Sequence, residues 1–290
     1  MSLRPWILAA RPRTLPAAVV PILVGSAIAF REGGFRFPIF LAALLAALLI
    51  QIGTNYANDL FDYLKGADRN RQGPTRVTQS GLLSPRAVGI GTAVAFGLAA
   101  LIGVFLVIDG GLPILLIGVF SILAGVFYTA GPFSLAYNGL GDVFAFLFFG
   151  VVATAGTTLA HTGRLDALAL AASVPVGCLV MNIITVNNLR DIPTDREAGK
   201  RTLAVRIGDR ATRWQYSVSV GLAYAVPLLL AFLRWAQPIV LLPALTLPWA
   251  WRLTSDLWRA REARTFNPIL GRSAQLHLWF GALLALGLLL

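Results

Sequence analysis

The sequence predicts an all-helical protein that crosses a membrane many times. Of its 290 residues, 57% are hydrophobic, and the mean hydropathy of +0.74 is well above that of a typical soluble domain. Apolar runs long enough to cross a hydrocarbon core of about 30 Å recur along the whole chain. Helices are expected because lipid cannot satisfy the polar groups of an open backbone. No linker or low-complexity segment divides the chain, so we treat residues 1–290 as a single transmembrane domain.

Each predicted span is an apolar run that ends at charged or turn-forming residues. Nine runs are predicted to cross the membrane: residues 15–31, 38–62, 86–108, 112–130, 139–160, 167–190, 212–233, 237–254 and 274–290. The N-terminus carries arginines but has no small-residue cleavage site before the first span, so we expect no cleavable signal. The single cysteine, Cys178, lies inside the sixth span, which excludes an intrachain disulfide.

The basic residues predict the orientation of the chain. The formal net charge is +11. If the N-terminus is cytoplasmic, all the basic residues lie on the inside except Arg31, Arg36, Arg164 and Arg234. The positive-inside rule therefore predicts a cytoplasmic N-terminus and an outside C-terminus, in a cell inner or plasma membrane. Orientation and attraction to anionic lipid account for most of this charge, so no nucleic-acid partner is expected.

The second predicted span ends in amide and acidic side chains. Four of them are spaced i, i+3, i+4 and i+7 and therefore share one helix face: Asn55, Asn58, Asp59 and Asp62. A carboxylate at the bilayer centre costs about 2.5–3.5 kcal/mol on insertion scales, so a cation is expected to compensate this cluster. Asp68 follows in a loop that we expect to fold back over the site.

The sixth span ends in a similar cluster within NNLRDIPTDREAGKRT. Either Asn187 or Asn188 can share a helix face with Asp191 and Asp195. Pro193 predicts a kink or an early helix end, because it removes a backbone donor and crowds the preceding turn. Spans two and six both run from outside to inside, so the two clusters are predicted to oppose each other across one cavity on the cytoplasmic side.

The donor types in these clusters predict a magnesium–diphosphate site. Oxygen donors without sulfur or histidine suit a hard cation, and Mg²⁺ usually binds one or two carboxylates while it bridges substrate phosphates. Nearby basic side chains can hold the remaining phosphate charge. The candidates for this role are Lys65, Arg69, Arg71, Arg76, Lys200 and Arg201. A single cluster could equally be a structural ion pair or a headgroup contact, but two clusters at matching ends favour the functional interpretation.

Both clusters resemble those of the UbiA superfamily of intramembrane prenyltransferases. Five stretches are more narrowly similar to the branch that prenylates 1,4-dihydroxy-2-naphthoate: NYANDLFDYLKGADR, GPTRVTQSGLLSP, YTAGPFSLAYNGLGDVFAFLFFG, NNLRDIPTDREAGKRTLAVRIG and FNPIL. The insertion of Lys65 and Gly66 before Asp68 favours this branch over the 4-hydroxybenzoate branch. The likeness covers nearly the whole chain.

The resemblance implies transfer of a prenyl group from a polyprenyl or phytyl diphosphate to 1,4-dihydroxy-2-naphthoate with loss of CO₂, which gives demethylmenaquinone or demethylphylloquinone. Catalytic carboxylates would be Asp59, Asp62, Asp68, Asp191 and Asp195. Mg²⁺ ligands would come from Asn55, Asn58, Asp59, Asp62, Asn187, Asn188, Asp191 and Asp195. Candidates for contact with the aromatic acceptor are Tyr128, Tyr137, Asp142 and Gln79, and Asp68 or Asp142 could be the base.

Alternatives remain open at this stage. Another aromatic acceptor, such as 4-hydroxybenzoate or homogentisate, would use the same diphosphate chemistry. A cation transporter could also place aspartates in the membrane, although basic loops beside both clusters would repel its cargo. A phosphatidyl-alcohol transferase is the weakest alternative, because the usual DG–AR spacing is missing. The length of the prenyl tail depends on how the spans pack.

Overall fold

The computed structural model describes residues 3–67 and 73–290, and the regular elements in these ranges are all helical. The α-helices are Arg4–Ala10 (α1), Pro16–Arg31 (α2), Phe37–Leu64 (α3), Pro85–Phe127 (α4), Gly141–Ala145 (α5), Ala153–Thr162 (α6), Ala167–Arg190 (α7), Ile192–Glu197 (α8), Leu203–Phe232 (α9), Leu247–Arg259 (α10) and Ala263–Leu289 (α11). Short 3₁₀ segments cover Pro12–Thr14 and Pro238–Thr246, and a π-helical stretch, Phe146–Val152, joins α5 to α6.

The helices make this a multi-pass membrane protein. Within the described residues, six helices are long and apolar enough to cross a bilayer, or seven if α1 and α2, which meet at 52°, form one bent span. The predicted count of nine spans therefore stays a prediction. Two places account for the difference: α4 contains the third and fourth predicted spans, and the eighth is shared between a 3₁₀ segment and α10.

The long helix α4 is broken in its middle. Its 43 residues would make a straight rod of about 65 Å, roughly twice the hydrocarbon core. Gly111, at φ 63° and ψ −153°, interrupts the helix in a conformation that glycine adopts readily. The adjacent Asp109 pairs with Arg36, at the start of α3, at 2.8 Å. The break thus lies at the end of the bundle opposite Asp62, as expected for two successive crossings.

Prolines explain the irregular eighth span. Pro238 and Pro243 lack the N–H that an α-helix needs, and the chain between them adopts 3₁₀ geometry before α10 begins. The sequence pattern detected an apolar segment here, but hydropathy alone does not distinguish α from 3₁₀ geometry.

The packing places α7 at the centre of the protein. It contacts α9, α11 and α2. In its most apolar 18-residue stretch, 61% of the residues are buried, which is the highest share among the candidate spans. Leu179 of α7, Tyr216 of α9 and Phe280 of α11 belong to one buried cluster. In contrast, α4 exposes large apolar side chains such as Ile108, for which lipid is the natural solvent.

The chain breaks where the second acidic cluster begins. Helix α7 ends at Arg190, and α8 begins at Ile192 with Pro193 in its first turn. This confirms the break predicted from Pro193. Asp191 lies between the two helices, with φ −94° and ψ 7°.

Candidate active site

The two acidic clusters line one cavity of about 180 Å³. The wall from α3 includes Asn55, Asn58 and Asp62, and the wall from the α7–α8 region includes Asp191 and Asp195. Both asparagines of the second cluster, Asn187 and Asn188, also line it. The matching direction of the two helices, inferred from sequence, had predicted this meeting.

Asp62, which lines the cavity, contacts three charged or polar side chains. One carboxylate oxygen, Oδ2, accepts a hydrogen bond from Arg76 Nη2 at 2.8 Å. The other, Oδ1, accepts from the hydroxyl of Tyr137 at 2.9 Å and lies 3.1 Å from Lys200 Nζ. Lys200 Nζ is also 4.0 Å from Asp195 Oδ1, so this ammonium links the two clusters.

Asp59 has a different position from Asp62, although both belong to the same predicted cluster. It does not line the cavity. Its carboxylate accepts hydrogen bonds from the backbone N–H groups of Val77, at 3.1 Å, and Thr78, at 2.9 Å. Asp59 thereby holds against α3 the segment that carries Arg76.

The two asparagines of the first cluster connect α3 to neighbouring segments. Asn55 donates to the carbonyl oxygen of Ala10 at 2.9 Å, and Asn58 Oδ1 accepts from the hydroxyl of Thr129 at 2.9 Å. Because Asn55 and Asn58 are also cavity residues, the N-terminal segment and the loop after α4 help to set the positions of their side chains.

Lys65 contacts a loop and does not line the cavity. Its ammonium donates to the carbonyl oxygens of Thr129 and Gly131, at 2.7 and 2.9 Å, and to the hydroxyl of Ser134 at 3.2 Å. Partial burial lowers the pKa of Lys65 from its usual value, although the negative charge of Asp62 acts in the opposite direction. Lys65 thus fixes the loop that follows α4.

The second cluster contains a cation that sequence reasoning missed. Arg190, predicted only as topological charge, is buried and forms a two-point contact with Asp191: Nε to Oδ1 at 2.7 Å and Nη2 to Oδ2 at 2.6 Å. The same Nη2 donates to Asn187 Oδ1 at 2.8 Å. The sequence offered one indication of this contact, because Arg190 directly precedes Asp191.

Asp142 lies behind the cavity wall. Its Oδ1 accepts from Thr185 Oγ1 and Gln215 Nε2, both at 3.1 Å, and its Oδ2 accepts from Asn188 Nδ2 at 3.0 Å. A carboxylate can only accept, so the NH₂ group of Asn188 must face Asp142 and its carbonyl oxygen must turn away. Asp142 therefore sets the orientation of an amide that lines the cavity.

Of the remaining predicted site residues, some line the cavity and others do not. Tyr128 lines the cavity. The ring centre of Tyr137 is 4.3 Å from Lys65 Nζ and 4.7 Å from Lys200 Nζ. Gln79 and Arg201 are exposed and do not line the cavity. Asp68, Arg69 and Arg71 lie outside the described residues.

Several cavity residues were not predicted. Gln51 lies one turn before Asn55 on α3, so extending the i, i+4 pattern by one step would have found it. Arg11 and Thr14 come from the short basic segment before α2. No spacing rule in the sequence connects that segment to the clusters.

A second cavity, of about 100 Å³, adjoins the first. The two share Thr54, Tyr128 and Phe149 as walls. The second is otherwise lined mainly by apolar side chains, including Phe144 and Phe148. A polar chamber therefore adjoins an apolar one, with Tyr128 at the boundary.

The donor set fits a hard cation that takes part of its coordination from a substrate. No group of three Asp, Glu, His or Cys side chains in residues 3–67 and 73–290 is arranged to hold a metal ion by itself. Carboxylate and amide oxygens nevertheless face the cavity from both sides, and Mg²⁺ commonly binds one or two protein carboxylates together with substrate phosphates.

Comparison with known proteins shows the family. The sequence model of the UbiA prenyltransferase family matches residues 18–289. The chain belongs to this family. As a UbiA prenyltransferase, it is similar to the 1,4-dihydroxy-2-naphthoate octaprenyltransferase of Mycobacterium tuberculosis (strain ATCC 25618 / H37Rv), with 37% identity over 93% of this chain and 91% of that protein. The Haemophilus influenzae protein of the same name is 31% identical over 100% and 97%.

The UbiA fold also appears in solved structures. A UbiA homologue from Archaeoglobus fulgidus, determined with GPP and Mg²⁺ bound, superposes with a TM-score of 0.68 over 97% of this chain and 99% of that chain, at 16% identity. At that identity the likeness concerns the fold alone. The family match, in contrast, makes the chain a membrane prenyltransferase.

Proposed function

We propose that this prenyltransferase moves a prenyl group from a polyprenyl or phytyl diphosphate to 1,4-dihydroxy-2-naphthoate, with loss of CO₂, in menaquinone or phylloquinone biosynthesis. The observation that carries the proposal is the polar cavity with two acidic clusters that adjoins an apolar cavity. The names of the bacterial relatives support the choice of acceptor. The product is a demethylmenaquinone or demethylphylloquinone.

Mg²⁺ is the proposed cofactor. The cavity-lining carboxylates Asp62, Asp191 and Asp195 would hold it, together with amide oxygens of the neighbouring asparagines. When bound, Mg²⁺ neutralises the diphosphate and makes it a better leaving group. Asp59 supports this arrangement from behind, because it holds the segment next to Arg76 in place.

Arg76 and Lys200 are the cavity cations that are proposed to bind the diphosphate. Both contact Asp62, so an incoming diphosphate competes with this carboxylate for them. When the allylic C–O bond breaks, its electron pair stays with the diphosphate oxygen, and these two cations meet the growing negative charge. Groups that interact more strongly with the transition state than with the ground state accelerate the step.

The prenyl chain is proposed to occupy the apolar cavity, with the reacting carbon close to Tyr128. The acceptor carbon that carries the carboxylate forms the new C–C bond to the allylic carbon. The carboxylate then leaves as CO₂, and its bonding electrons restore the aromatic ring. Apolar walls keep water from the allylic cation, which would otherwise be hydrolysed.

Two side chains are candidates for the base that deprotonates the acceptor, Asp142 and Asp68. Asp142, one of the two candidate bases, has both oxygens occupied by side-chain donors behind the cavity wall, so we propose that it orients Asn188. Asp68 stays a proposed base. The cavity is proposed to open to the cytoplasm, in a single domain of nine spans with the N-terminus inside and the C-terminus outside.

The experiment that tests this function uses purified protein in lipid with Mg²⁺ and a prenyl diphosphate. Carboxyl-labelled 1,4-dihydroxy-2-naphthoate and 4-hydroxybenzoate are offered separately. Labelled CO₂ together with a prenylated naphthoquinol is the expected result. Prenylation of 4-hydroxybenzoate alone would show that the proposed acceptor is wrong, and it would leave the proposed diphosphate site in place.

A further inference from the structure

The FNPIL segment near the start of α11 contains a polar residue that reaches the second acidic cluster. Phe266 and Ile269 of this segment are buried in the core, and Leu270 lines the polar cavity. Asn267 turns toward α7, where its Oδ1 accepts a hydrogen bond from Arg190 Nη1 at 2.8 Å. The segment therefore touches the site through an arginine.

Arg190 is buried, and its guanidinium group is surrounded by hydrogen-bond acceptors. It is 3% exposed and is not a cavity residue, so it is not placed to contact a diphosphate. Each guanidinium nitrogen donates: Nε and Nη2 to Asp191, Nη2 also to Asn187, and Nη1 to Asn267. A planar fork of this kind fixes a carboxylate in position as well as in charge.

The break between α7 and α8 makes this contact possible. Neighbouring residues on a continuous helix point in directions about 100° apart and do not face each other. Asp191 lies after the last residue of α7, with φ −94° and ψ 7°, and here adjacent side chains pair. The predicted effect of Pro193 on the helix thus has a consequence for the site.

We infer that Arg190, braced by Asn267, is a positioning residue that orients the Asp191 carboxylate for metal binding. Arg190 occupies one lone pair on each Asp191 oxygen, which leaves further lone pairs on the same oxygens for the cavity that Asp191 lines. Asn187 is held by the same guanidinium, so one cation aligns two oxygen donors. The inference rests on the proposed metal–diphosphate site.

The test compares Arg190→Lys with a matched control. Lysine keeps the positive charge but cannot make the two-point contact, so Asp191 keeps a cation and loses its fixed orientation. The control is Arg213→Lys. Arg213 is equally buried, at 2% exposed, and binds Asp209 and the carbonyls of Leu257 and Ala260 away from the cavity.

The readout is Mn²⁺ binding in the presence of pyrophosphate, followed by electron paramagnetic resonance without a prenyl donor or acceptor. Removal of a group that orients a metal ligand typically weakens metal affinity by about 10- to 100-fold. We expect a loss in this range for Arg190→Lys and a smaller loss in the same direction for Asn267→Ala. The control should bind Mn²⁺ as the wild type does, and thermal unfolding in the same lipid verifies that both lysine variants are folded.

Wild-type affinity in folded Arg190→Lys would overturn the positioning role. A wild-type protein that does not bind Mn²⁺ with pyrophosphate would overturn both this role and the proposed metal site. If wild type binds Mn²⁺ and Arg190→Lys does not, while neither aromatic acceptor is prenylated, the positioning role stands and the proposed function fails.

Discussion

Single side chains in the cavity carry both structural and chemical tasks. Asp62 combines them, because it lines the cavity and also contacts Arg76, Tyr137 and Lys200. Asp59, three residues earlier, serves the backbone of a neighbouring segment. Two aspartates on one helix therefore have different surroundings, and substitutions at the two positions should fail in different ways.

Replacement of Asp62 by asparagine should reduce turnover by about 100-fold or more, because the cavity loses a charge that organises its cations and the proposed metal. Initial rates at saturating Mg²⁺ measure the effect. Asp256→Asn is the matched control, since Asp256 pairs with Arg272 at 2.7 Å in a partly exposed position. Equal activity of the two variants would contradict the role given to Asp62.

Gln51 offers a test of acceptor binding. The side chain is 7% exposed, lines the cavity, and its Oε1 has no hydrogen-bond partner among the described residues. A hydroxyl group of the aromatic acceptor can donate to this oxygen. One neutral hydrogen bond contributes about 0.5–1.5 kcal/mol, so Gln51→Leu should raise the acceptor KM by about two- to twelvefold.

The donor KM serves as the internal control for Gln51→Leu. A change confined to the acceptor supports contact with the aromatic ring system. If both KM values rise together, or if neither changes, Gln51 has no role in acceptor recognition.

Whole elements show which parts of the site a sequence can reveal. The helix faces on α3 and at the end of α7 followed from spacing, and so did the break near Pro193. The separation of Asp59 from the cavity did not, because it depends on a return of the chain at Val77 and Thr78. Arg190 was similarly hidden, since its contact with Asp191 requires the exact ending of α7.

The turn between α2 and α3 should give stability a pH dependence. A hydrogen bond with Asp166, followed by partial burial and the Asp166 charge, raises the pKa of Glu32 to about 7 from its ordinary value of 4.5. The protonated form is thus favoured in the folded protein. This contribution to stability is fully present below about pH 4.5 and is lost as the pH rises through about 7.

Thermal unfolding midpoints in lipid, recorded between about pH 4 and about pH 8, measure this dependence. Glu32→Gln should flatten the curve in that interval, because glutamine keeps the size of the side chain and does not titrate. An unchanged slope in Glu32→Gln would assign the pH dependence to other groups.

At the scale of the whole molecule, hydropathy predicted the class of fold and the distribution of charge predicted an orientation. Hydropathy did not settle the number of crossings, because α4 continues through two predicted spans and only Gly111 divides them. The cavity joins side chains that are more than a hundred residues apart, such as Asp62 and Asp191. Only the packing of α2, α3 and α7 shows how the N-terminal segment enters its wall.

The orientation can be tested with introduced cysteines. Thr75→Cys lies beside the acidic clusters and Arg164→Cys lies in the turn between α6 and α7, and both positions are exposed. The single native thiol, Cys178, is buried, so background labelling should be low. In intact cells, a membrane-impermeant maleimide should label Arg164→Cys and should reach Thr75→Cys only after lysis. The reverse pattern would invert the topology.

The contacts of Asp62 also bear on how the enzyme empties after a turnover. In the proposed site, pyrophosphate held by two cations and a metal would leave slowly unless an anion of the protein replaced it. Asp62 is an anion already within reach of Arg76 and Lys200, so it can take over both cations as the product departs. In the proposed mechanism, this carboxylate of the cavity wall would displace the product from the two cations and so prepare the cavity for the next donor.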